Sequence, residues 1–359
     1  MQLTIDRQSA ESAYMQLYRL LREQIVSGTL PRGSRLPSKR GLAEETGLSL
    51  ITVEHALNLL CEEGYAEARP RSGIYAAFGE SAPPPPPRAA LEDMSAGDAA
   101  PEDFPFSVWS RTMRAVLADY DRRVLARSPS CGCKELRVAL AGYLARSRGL
   151  SVNPEQIVVG AGAEYLYGLV VQLLGRERLY ALEDPCYEKI RRVYEANGAR
   201  CELLKMGEDG ILPEALSDSR AGVLHVTPFH SYPSGVTASA ARRHDYALWA
   251  QSRGAYIVED DYDAEFASLR RQIETICSLA PERVLYINTF SKVLAPSVRV
   301  GFLVLPEPLL DLYRERLGFY SCTVPVFDQL VLAEFIAQGH LERYINRRKR
   351  KILKKRSEM

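Results

Sequence analysis

Lys292 lies in a stretch whose residue types could form a covalent bond with a small molecule. It directly follows Ser291 and stands seven residues before Arg299, between two apolar runs that each predict a β-strand. The ordinary interpretation of such a stretch is a surface hairpin kept soluble by its lysine. A lysine amine can also condense with an aldehyde, so the interpretation depends on which other residues the fold brings to the same place.

Three other apolar runs that predict strands also end in polar or small residues. These ends are residues 160–164, 230–235 and 259–262. Strands of this kind alternate with helical segments, which predicts a mostly parallel α/β sheet. Ligands bind outside the carboxyl ends of the strands in such sheets, so we expect these segments and Lys292 to surround one site.

Pyridoxal 5′-phosphate is a cofactor that needs all of these groups at once. Its aldehyde condenses with a lysine amine, and its ring nitrogen stays protonated beside a buried carboxylate, for which Asp260 and Asp261 both qualify. Its ring packs on an aromatic face, which Tyr187 offers. Its phosphate needs donors, and these are available as backbone N–H groups at a strand-to-helix turn and as side chains: Gly162, Ala163, Glu164, Thr289, Ser291 and Arg299.

Five consecutive prolines divide the chain. They lie within residues 79–103, and a proline run cannot join a helix or a central strand but favours extended polyproline geometry. A stiff linker between a folded unit at 11–78 and a larger one at 104–359 is therefore predicted. A ligand for an SH3 or WW domain is the other interpretation of the prolines.

Three short helices and a hairpin are predicted before this linker. Residues 14–30 place Leu17, Leu20, Leu21 and Ile25 at helical spacing. Ser38 and Ser49 are suited to cap a second and a third helix, and residues 66–78 predict two strands around a basic turn with a glycine. The pattern is that of a winged helix-turn-helix.

The order G-x-L-P-x-G-x-x-L-P-S-x-R-x-L-A-x-x-x-G-x-S-x-x-T-V, from Gly28 to Val53, resembles the DNA-binding domain of GntR-family bacterial repressors. The family usually has arginine where this chain has Leu50, and a leucine cannot form a bidentate pair with guanine. Residues 1–78 hold nine Lys/Arg and nine Asp/Glu, so their net charge is zero. We therefore expect one copy to have only modest affinity for DNA, which favours a dimer. The resemblance implies these DNA-binding residues: Ser38, Arg40, Ser49, Thr52, Arg71 and Gly73.

Four segments of the larger unit, "EDPCY", "TPFHSYPSG", "VEDDYDAEF" and "NTFSKVLAPSVRVGFLVLP", resemble fold-type I aminotransferases and specifically the MocR/GabR-like branch. That branch joins a GntR-type domain to an aminotransferase-like domain that binds pyridoxal phosphate. The resemblance implies that Lys292 is the catalytic Schiff-base lysine, that Asp260 pairs with the pyridine nitrogen, and that Tyr262 bonds the ring hydroxyl. It also implies that Tyr187 stacks on the ring and that Arg299, Ser291 and Thr289 hold the phosphate, with Asp261 as the alternative to Asp260.

The function implied is a homodimeric, DNA-binding transcriptional regulator that senses an amino acid or amine by forming an external aldimine. A pyridoxal phosphate-dependent aminotransferase with an accessory DNA-binding domain is the alternative, and a fragment with neither activity is a third. Tyr232 stands where many aminotransferases have asparagine. The family also continues for roughly a hundred residues beyond the part that matches 104–359, into a small C-terminal domain with an arginine that holds the substrate carboxylate. We expect that domain, and with it the arginine, to be missing from this chain. We therefore expect little turnover.

Composition fits a soluble, cytoplasmic protein, with 46% hydrophobic and 25% charged residues and a net charge of +1. No run reaches the roughly 20 apolar residues that cross a bilayer, and the N-terminus lacks the apolar core of a signal peptide. The seven cysteines are scattered, fit no zinc pattern and are interpreted as reduced thiols, so no metal is expected. The basic run at 347–356 is interpreted as the solvated face of a helix.

Overall fold

The computed structural model describes residues 5–6, 11–69, 72–77, 104–262, 264–267 and 274–358. The chain divides into two compact units, one of residues 1–89 with 239–242 and the other of residues 90–238 with 243–359. The predicted linker at 79–103 and the wing residue Arg71 lie outside the described residues.

The first unit is a winged helix-turn-helix, as the sequence predicts. Its elements are α1 (Ala13–Val26), α2 (Lys39–Thr46), α3 (Leu50–Glu62), and the strands β1 (Ala66–Arg69) and β2 (Gly73–Ala76), which pair antiparallel. Of the α1 positions predicted to face inward, Leu17, Leu21 and Ile25 are buried, whereas Leu20 is only half-buried.

Both predicted serine caps are present. Ser38 Oγ accepts a hydrogen bond from the backbone N–H of Gly41, and Ser49 Oγ accepts one from Thr52, each at 3.1 Å. Gly47 ends α2 in the left-handed region at φ +67°, which a glycine adopts without steric cost. These local signals fix where α2 ends and α3 begins.

The second unit is built on an eight-stranded sheet. Its strands are β3 (Ile157–Gly160), β4 (Leu179–Asp184), β5 (Arg200–Gly207), β6 (Gly210–Ile211), β7 (Val223–Val226), β8 (Tyr256–Asp260), β9 (Val284–Thr289) and β10 (Gly301–Val304), in the order β3-β10-β9-β8-β7-β4-β5-β6. Its helices are α4 (Phe106–Tyr120), α5 (Lys134–Arg148), α6 (Ala163–Leu174), α7 (Glu188–Ala196), α8 (Pro213–Asp218), α9 (Ala240–Arg253), α10 (Ala264–Ala267), α11 (Ile276–Leu279), α12 (Leu310–Leu317), α13 (Val326–Ala337) and α14 (His340–Glu358).

Strand direction places the predicted site segments at one edge of this sheet. β4, β5, β7, β8 and β9 run parallel, and β10 runs antiparallel to both β3 and β9, so β3 shares their direction. The carboxyl ends of β3, β4, β7, β8 and β9 therefore lie at the same edge, where β10 begins. The prediction of a mostly parallel α/β sheet is confirmed.

Successive strand residues point into two different hydrophobic cores, one on each face of the sheet. Val159, Tyr286 and Phe302 belong to one core, and their neighbours Val158 and Ile287 belong to the other. Because both faces of the sheet are covered, successive residues of a strand are all buried, which explains why the strand sequences are continuous apolar runs. Within the described part of the chain, no helix is both long and apolar enough to cross a membrane.

Candidate functional site

Lys292 lies beside an aromatic ring at the carboxyl edge of the sheet. It stands three residues after Thr289, the last residue of β9, and its Nζ is 4.5 Å from the centroid of the Tyr262 ring. Tyr262 follows the end of β8, and its hydroxyl donates to the carbonyl oxygen of His230 at 3.3 Å. The ends of β7, β8 and β9 are thus joined around the lysine.

Asp260, the last residue of β8, is a buried carboxylate beside tyrosine and histidine side chains. Its Oδ2 accepts a hydrogen bond from the Tyr167 hydroxyl and lies 3.7 Å from Nε2 of His225, whose Nδ1 is 2.8 Å from the Tyr194 hydroxyl. Burial raises the pKa of Tyr167 well above its ordinary value, and the charge on Asp260 raises it further, so the phenol remains a donor.

Two buried polar atoms in this cluster lack hydrogen-bond partners. Asp260 Oδ1 and His225 Nε2 have none among the residues that the structure describes, although both side chains are only 2% exposed. A buried carboxylate oxygen without a donor is costly, and a ligand that brings an N–H group relieves that cost. A protonated pyridine nitrogen is such a group, so this cluster fits pyridoxal phosphate.

Asp261 points to the other side of the sheet and into a different set of contacts. Arg148 Nε donates to its Oδ2 at 2.8 Å, and the Tyr286 hydroxyl donates to the same oxygen. Arg148 also lies 3.7 Å from Glu265, so Asp261 belongs to a buried ion-pair cluster with a permanent cation. The two aspartates that the sequence leaves open therefore differ, and the arrangement favours Asp260 for the ring nitrogen.

The turn between β3 and α6 holds two cations around one carboxylate. Arg299 Nη2 donates to Glu164 Oε2 at 2.6 Å, and Lys189 Nζ donates to Glu164 Oε1 at 3.0 Å. Gly162 has φ +96°, which strains any other residue, and a Cβ there would lie 2.7 Å from Arg299 Nη2, so a side chain would also displace this guanidinium. Two positive charges against one negative charge, beside the first turn of α6, make this turn suited to a phosphate group.

The Glu164 side chain was not anticipated from the sequence, which predicts only its backbone N–H as a donor. Its pKa is lowered mainly by the hydrogen bond from Lys189, so the carboxylate is ionised between its two partners. Lys189 was missed altogether. Its position two residues after Tyr187, the last residue of the "EDPCY" segment, is the sequence signal that points to it.

The remaining predicted cofactor residues lie along the same edge. The Ser291 hydroxyl donates to the Val298 carbonyl at 3.1 Å, which closes the loop before Arg299, and Thr289 is buried at the end of β9. Ala163 is the first residue of α6. Tyr187 is 42% exposed just before α7 and packs edge-on against Tyr232, with ring centroids 5.7 Å apart.

The predicted DNA-contacting residues divide into two kinds. The hydroxyls of Ser38 and Ser49 are occupied as helix caps, and Thr52 Oγ1 lies 2.8 Å from Ser49 Oγ. Arg40 is exposed as the second residue of α2. The hydroxyls therefore fix the helix starts, whereas Arg40 is available to a partner.

The wing hairpin also contacts Arg35, which the sequence does not predict as a partner of the wing. Gly73 has φ +126°, and a Cβ there would lie 2.9 Å from Nε of Arg35. Arg35 pairs with Tyr75 by a β-bridge, and the guanidinium of Arg69 lies 4.5 Å from the Tyr75 ring centroid. The backbone of Arg35 therefore pairs with the wing strand β2, and the guanidinium of Arg69 lies against the Tyr75 ring.

Each of the two units matches a known protein family. Residues 13–76 match "Bacterial regulatory proteins, gntR family", and residues 95–359 match "Aminotransferase class I and II". The chain is 34% identical to YdeL of Bacillus subtilis, an "Uncharacterized HTH-type transcriptional regulator", over 96% of this chain and 77% of YdeL. It is 29% identical to MocR of Rhizobium meliloti, a "Probable rhizopine catabolism regulatory protein", over 97% of this chain and 76% of MocR. The chain belongs to the MocR-type branch of the GntR family.

The second unit of this MocR-type protein has the fold of class I and II aminotransferases. It is similar to LysN, an α-aminoadipate aminotransferase of Thermus thermophilus solved with N-(5′-phosphopyridoxyl)-L-leucine, at 28% identity and a TM-score of 0.61. The match covers 70% of this chain and 66% of LysN. The fold is therefore that of enzymes that use pyridoxal phosphate.

The basic run in α14 of the MocR-type chain is not uniformly solvated, so that prediction is wrong at one position. Arg348 is buried, and its Nη1 lies 3.5 Å from the carbonyl oxygen of Lys292 and 3.4 Å from that of Val293. Its guanidinium also lies 4.6 Å from the Phe266 ring centroid. Arg348 thus anchors the backbone that carries the candidate lysine.

We expect Arg348→Met to lower the free energy of unfolding by about 1–3 kcal/mol, because it removes donors to one buried and one half-buried carbonyl. Arg350→Met is the matched control, since Arg350 lies on the same helix but is exposed, and we expect a change within about 0.5 kcal/mol. Urea unfolding of both variants measures the difference. Equal stabilities of the two variants would show that the buried position of Arg348 is energetically unimportant.

Proposed function

We propose that this MocR-type protein is a transcriptional regulator that binds pyridoxal phosphate and responds to an amino acid or another primary amine. The observation that carries the proposal is the meeting of Lys292, Tyr262 and the unpartnered oxygen of Asp260 at one sheet edge, in a chain with a GntR module. When bound, pyridoxal phosphate supplies an aldehyde that reacts reversibly with primary amines.

Each part of the site has a separate task in this proposal. Asp260 Oδ1 would accept a hydrogen bond from the ring nitrogen and keep that nitrogen protonated, because the Tyr167 hydroxyl already occupies Oδ2. The Tyr262 hydroxyl, which donates to the His230 carbonyl, would instead bond the ring hydroxyl. Lys292 would hold the cofactor through its amine, and an effector amine would take the place of that amine.

Phosphate binding in this proposal uses the cationic turn. Arg299 and Lys189 share Glu164 at 2.6 and 3.0 Å, and either cation can turn part of its donors to an incoming phosphate. The first-turn N–H groups of α6 add backbone donors. Thr289 and Ser291, which precede Arg299 in the chain, add hydroxyl groups. Tyr187 offers the aromatic face.

DNA binding is proposed to occur through the first unit of a homodimer. Dimerisation places two helix-turn-helix modules on one duplex, so the second half-site is bound at high effective concentration. An effector that binds one arrangement of the dimer better than another shifts the population toward it. Binding of the effector at Lys292 thereby changes the affinity of the dimer for its operator.

The proposal is tested by fluorescence anisotropy of the full chain on a duplex from its own promoter. Affinity should change when pyridoxal phosphate and then a panel of amino acids are added. Lys292→Ala should still bind the duplex but should no longer respond to amines. A response that is the same in Lys292→Ala as in the wild type would contradict the sensing role of this lysine.

Arg40→Ala should weaken promoter binding by on the order of 1–3 kcal/mol if Arg40 contacts a base. Arg22→Ala is the control, because it removes an equal charge from α1 of the same module. We expect the Arg40 variant to lose affinity and the Arg22 variant to change far less, measured at one salt concentration. Equal losses in both variants would mean that only overall charge matters.

A working aminotransferase is the second candidate, favoured by the match of residues 95–359 to class I and II aminotransferases. Steady-state conversion of an amino acid and keto acid pair, with promoter affinity unchanged by the same amino acid, would support this candidate against the regulator.

A further inference from the structure

The second helix of a helix-turn-helix, which is α3 here, enters the major groove, and in this protein it carries no lysine or arginine. The sequence of α3 is LITVEHALNLLCE, without lysine or arginine. Its first two residues, Leu50 and Ile51, are 51% and 70% exposed. Guanine is read in the major groove mainly by arginine or lysine, so α3 must read its half-site by other means.

Leu50 and Ile51 are not part of the core of the first unit. The other apolar residues of α3 point inward, and Val53, Ala56 and Leu57 are each at most 1% exposed. The two exposed residues form an apolar tip, here named the α3 tip, on the first turn of the helix. Removing this tip from water would be favourable. Because it lies on the helix that enters the major groove, DNA is the partner that would cover it.

The polar side chains beside the α3 tip contact other groups of the first unit, and the exposed His55 packs edge-on against Tyr14 with ring centroids 6.0 Å apart. The Ser49 hydroxyl caps α3 and lies 2.8 Å from Thr52 Oγ1. Glu54, one turn after Leu50, forms an ion pair with Lys39 of α2, so its negative charge is compensated. The hydrogen bond from Lys39 also lowers the pKa of Glu54, which keeps the pair ionised. The tip therefore approaches DNA as an apolar surface without an opposing charge.

We propose that Leu50 and Ile51 contact the C5-methyl groups of thymines in the major groove, so that the half-site has A·T pairs beneath the first turn of α3. This inference rests on the proposed DNA-binding function. The thymine methyl is the one apolar group that unmodified base pairs present in the major groove, and apolar side chains are its usual partners. Phosphate contacts then come from exposed cations outside α3, such as Arg40.

Replacing thymine by deoxyuridine tests the inference without changing the protein. The half-site is first obtained by selection of full-length wild-type protein from a randomised duplex pool, and each thymine is then replaced singly. Because one buried methyl group is removed, we expect a loss of about fourfold in affinity at one or two positions and no loss elsewhere. This loss should persist as total affinity falls with rising salt, since it is not electrostatic.

Protein variants then assign the methyl contacts to the tip. In Leu50→Ala and Ile51→Ala the deoxyuridine penalty should shrink toward onefold, because the partner side chain is gone. Val26→Ala is the matched control, as Val26 is a 37% exposed apolar residue at the end of α1, and it should keep the full penalty. Leu50→Arg should shift the selected half-site toward guanine.

The outcomes separate this inference from the proposed function. Salt-dependent binding to a selected duplex with no deoxyuridine penalty at any thymine overturns the inference and leaves DNA binding intact. Absence of any selectable duplex overturns both. A change of oligomeric state in the tip variants, again without a deoxyuridine penalty, overturns the inference and shows that the tip is covered by a second copy of the chain.

Discussion

Borohydride reduction of the protein incubated with pyridoxal phosphate should leave a stable pyridoxyl label on Lys292 and on no other lysine at comparable yield. The reason is local. Lys292 lies 4.5 Å from the Tyr262 ring at the sheet edge where the buried Asp260 ends β8. Peptide mapping by mass spectrometry measures the label. Lys292→Ala should abolish it, which is an all-or-none effect.

Lys189→Ala is the matched control for this labelling experiment. Lys189 lies at the same edge but is paired with Glu164, and its pKa is raised mainly by the hydrogen bond to that carboxylate. We expect the Lys189 variant to be labelled at Lys292 but to need more pyridoxal phosphate, because a phosphate-binding cation is lost. A label found mainly on Lys189 in the wild type would show that the site has been assigned to the wrong lysine.

The grouping of the candidate site residues at one sheet edge could be predicted from the sequence because it depends on strand ends. Lys292, Tyr262 and Gly162 each follow a strong apolar run, and parallel strands bring their carboxyl ends to one edge. Capping serines fix the helix-turn-helix in the same local way, since Ser38 and Ser49 contact residues only three positions away. Signals that act over a few residues are visible in the sequence.

The residues that contact the candidate site residues could not be predicted, because the two members of each contact are distant in sequence. Tyr167 contacts Asp260 across 93 residues, and Arg299 contacts Glu164 across 135. Arg348 reaches the Lys292 carbonyl across 56 residues from a helix whose composition alone indicated a solvated face. No spacing rule connects such residues, and only the packing of the sheet against its helices brings them together.

Glu183 provides the other large effect, which is a pH dependence of stability. It lies in β4 and is buried, with the Ser231 hydroxyl donating to its Oε2 at 2.6 Å and the Thr227 N–H donating to its Oε1 at 3.3 Å. Burial raises its pKa to about 8, and the charge on nearby Asp260 adds to that rise. The folded protein therefore holds a proton on Glu183 where the unfolded chain has lost it.

The sign of the effect follows from the raised pKa. Below about pH 4.5 the carboxyl group is protonated in both states, so it adds no pH dependence there. Between that pH and about 8 only the folded state keeps the proton, and the free energy of unfolding falls by up to about 1.4 kcal/mol per pH unit. Glu259, also buried with a pKa raised to about 8 by desolvation, acts in the same direction.

Glu183→Gln should remove its share of this slope. The glutamine carbonyl can accept from the Thr227 N–H while its amide donates to the Ser231 hydroxyl, so both contacts survive without a titratable proton. We expect the variant to match the wild type within about 1 kcal/mol at pH 5 and to be more stable by on the order of 4 kcal/mol at pH 9. Urea unfolding of both proteins across this pH range measures the difference in the free energy of unfolding.

Glu214→Gln, at an exposed position, is the control and should leave the pH dependence of the free energy of unfolding unchanged. A parallel slope in wild type and Glu183→Gln would mean that Glu183 is ionised in the folded protein at neutral pH.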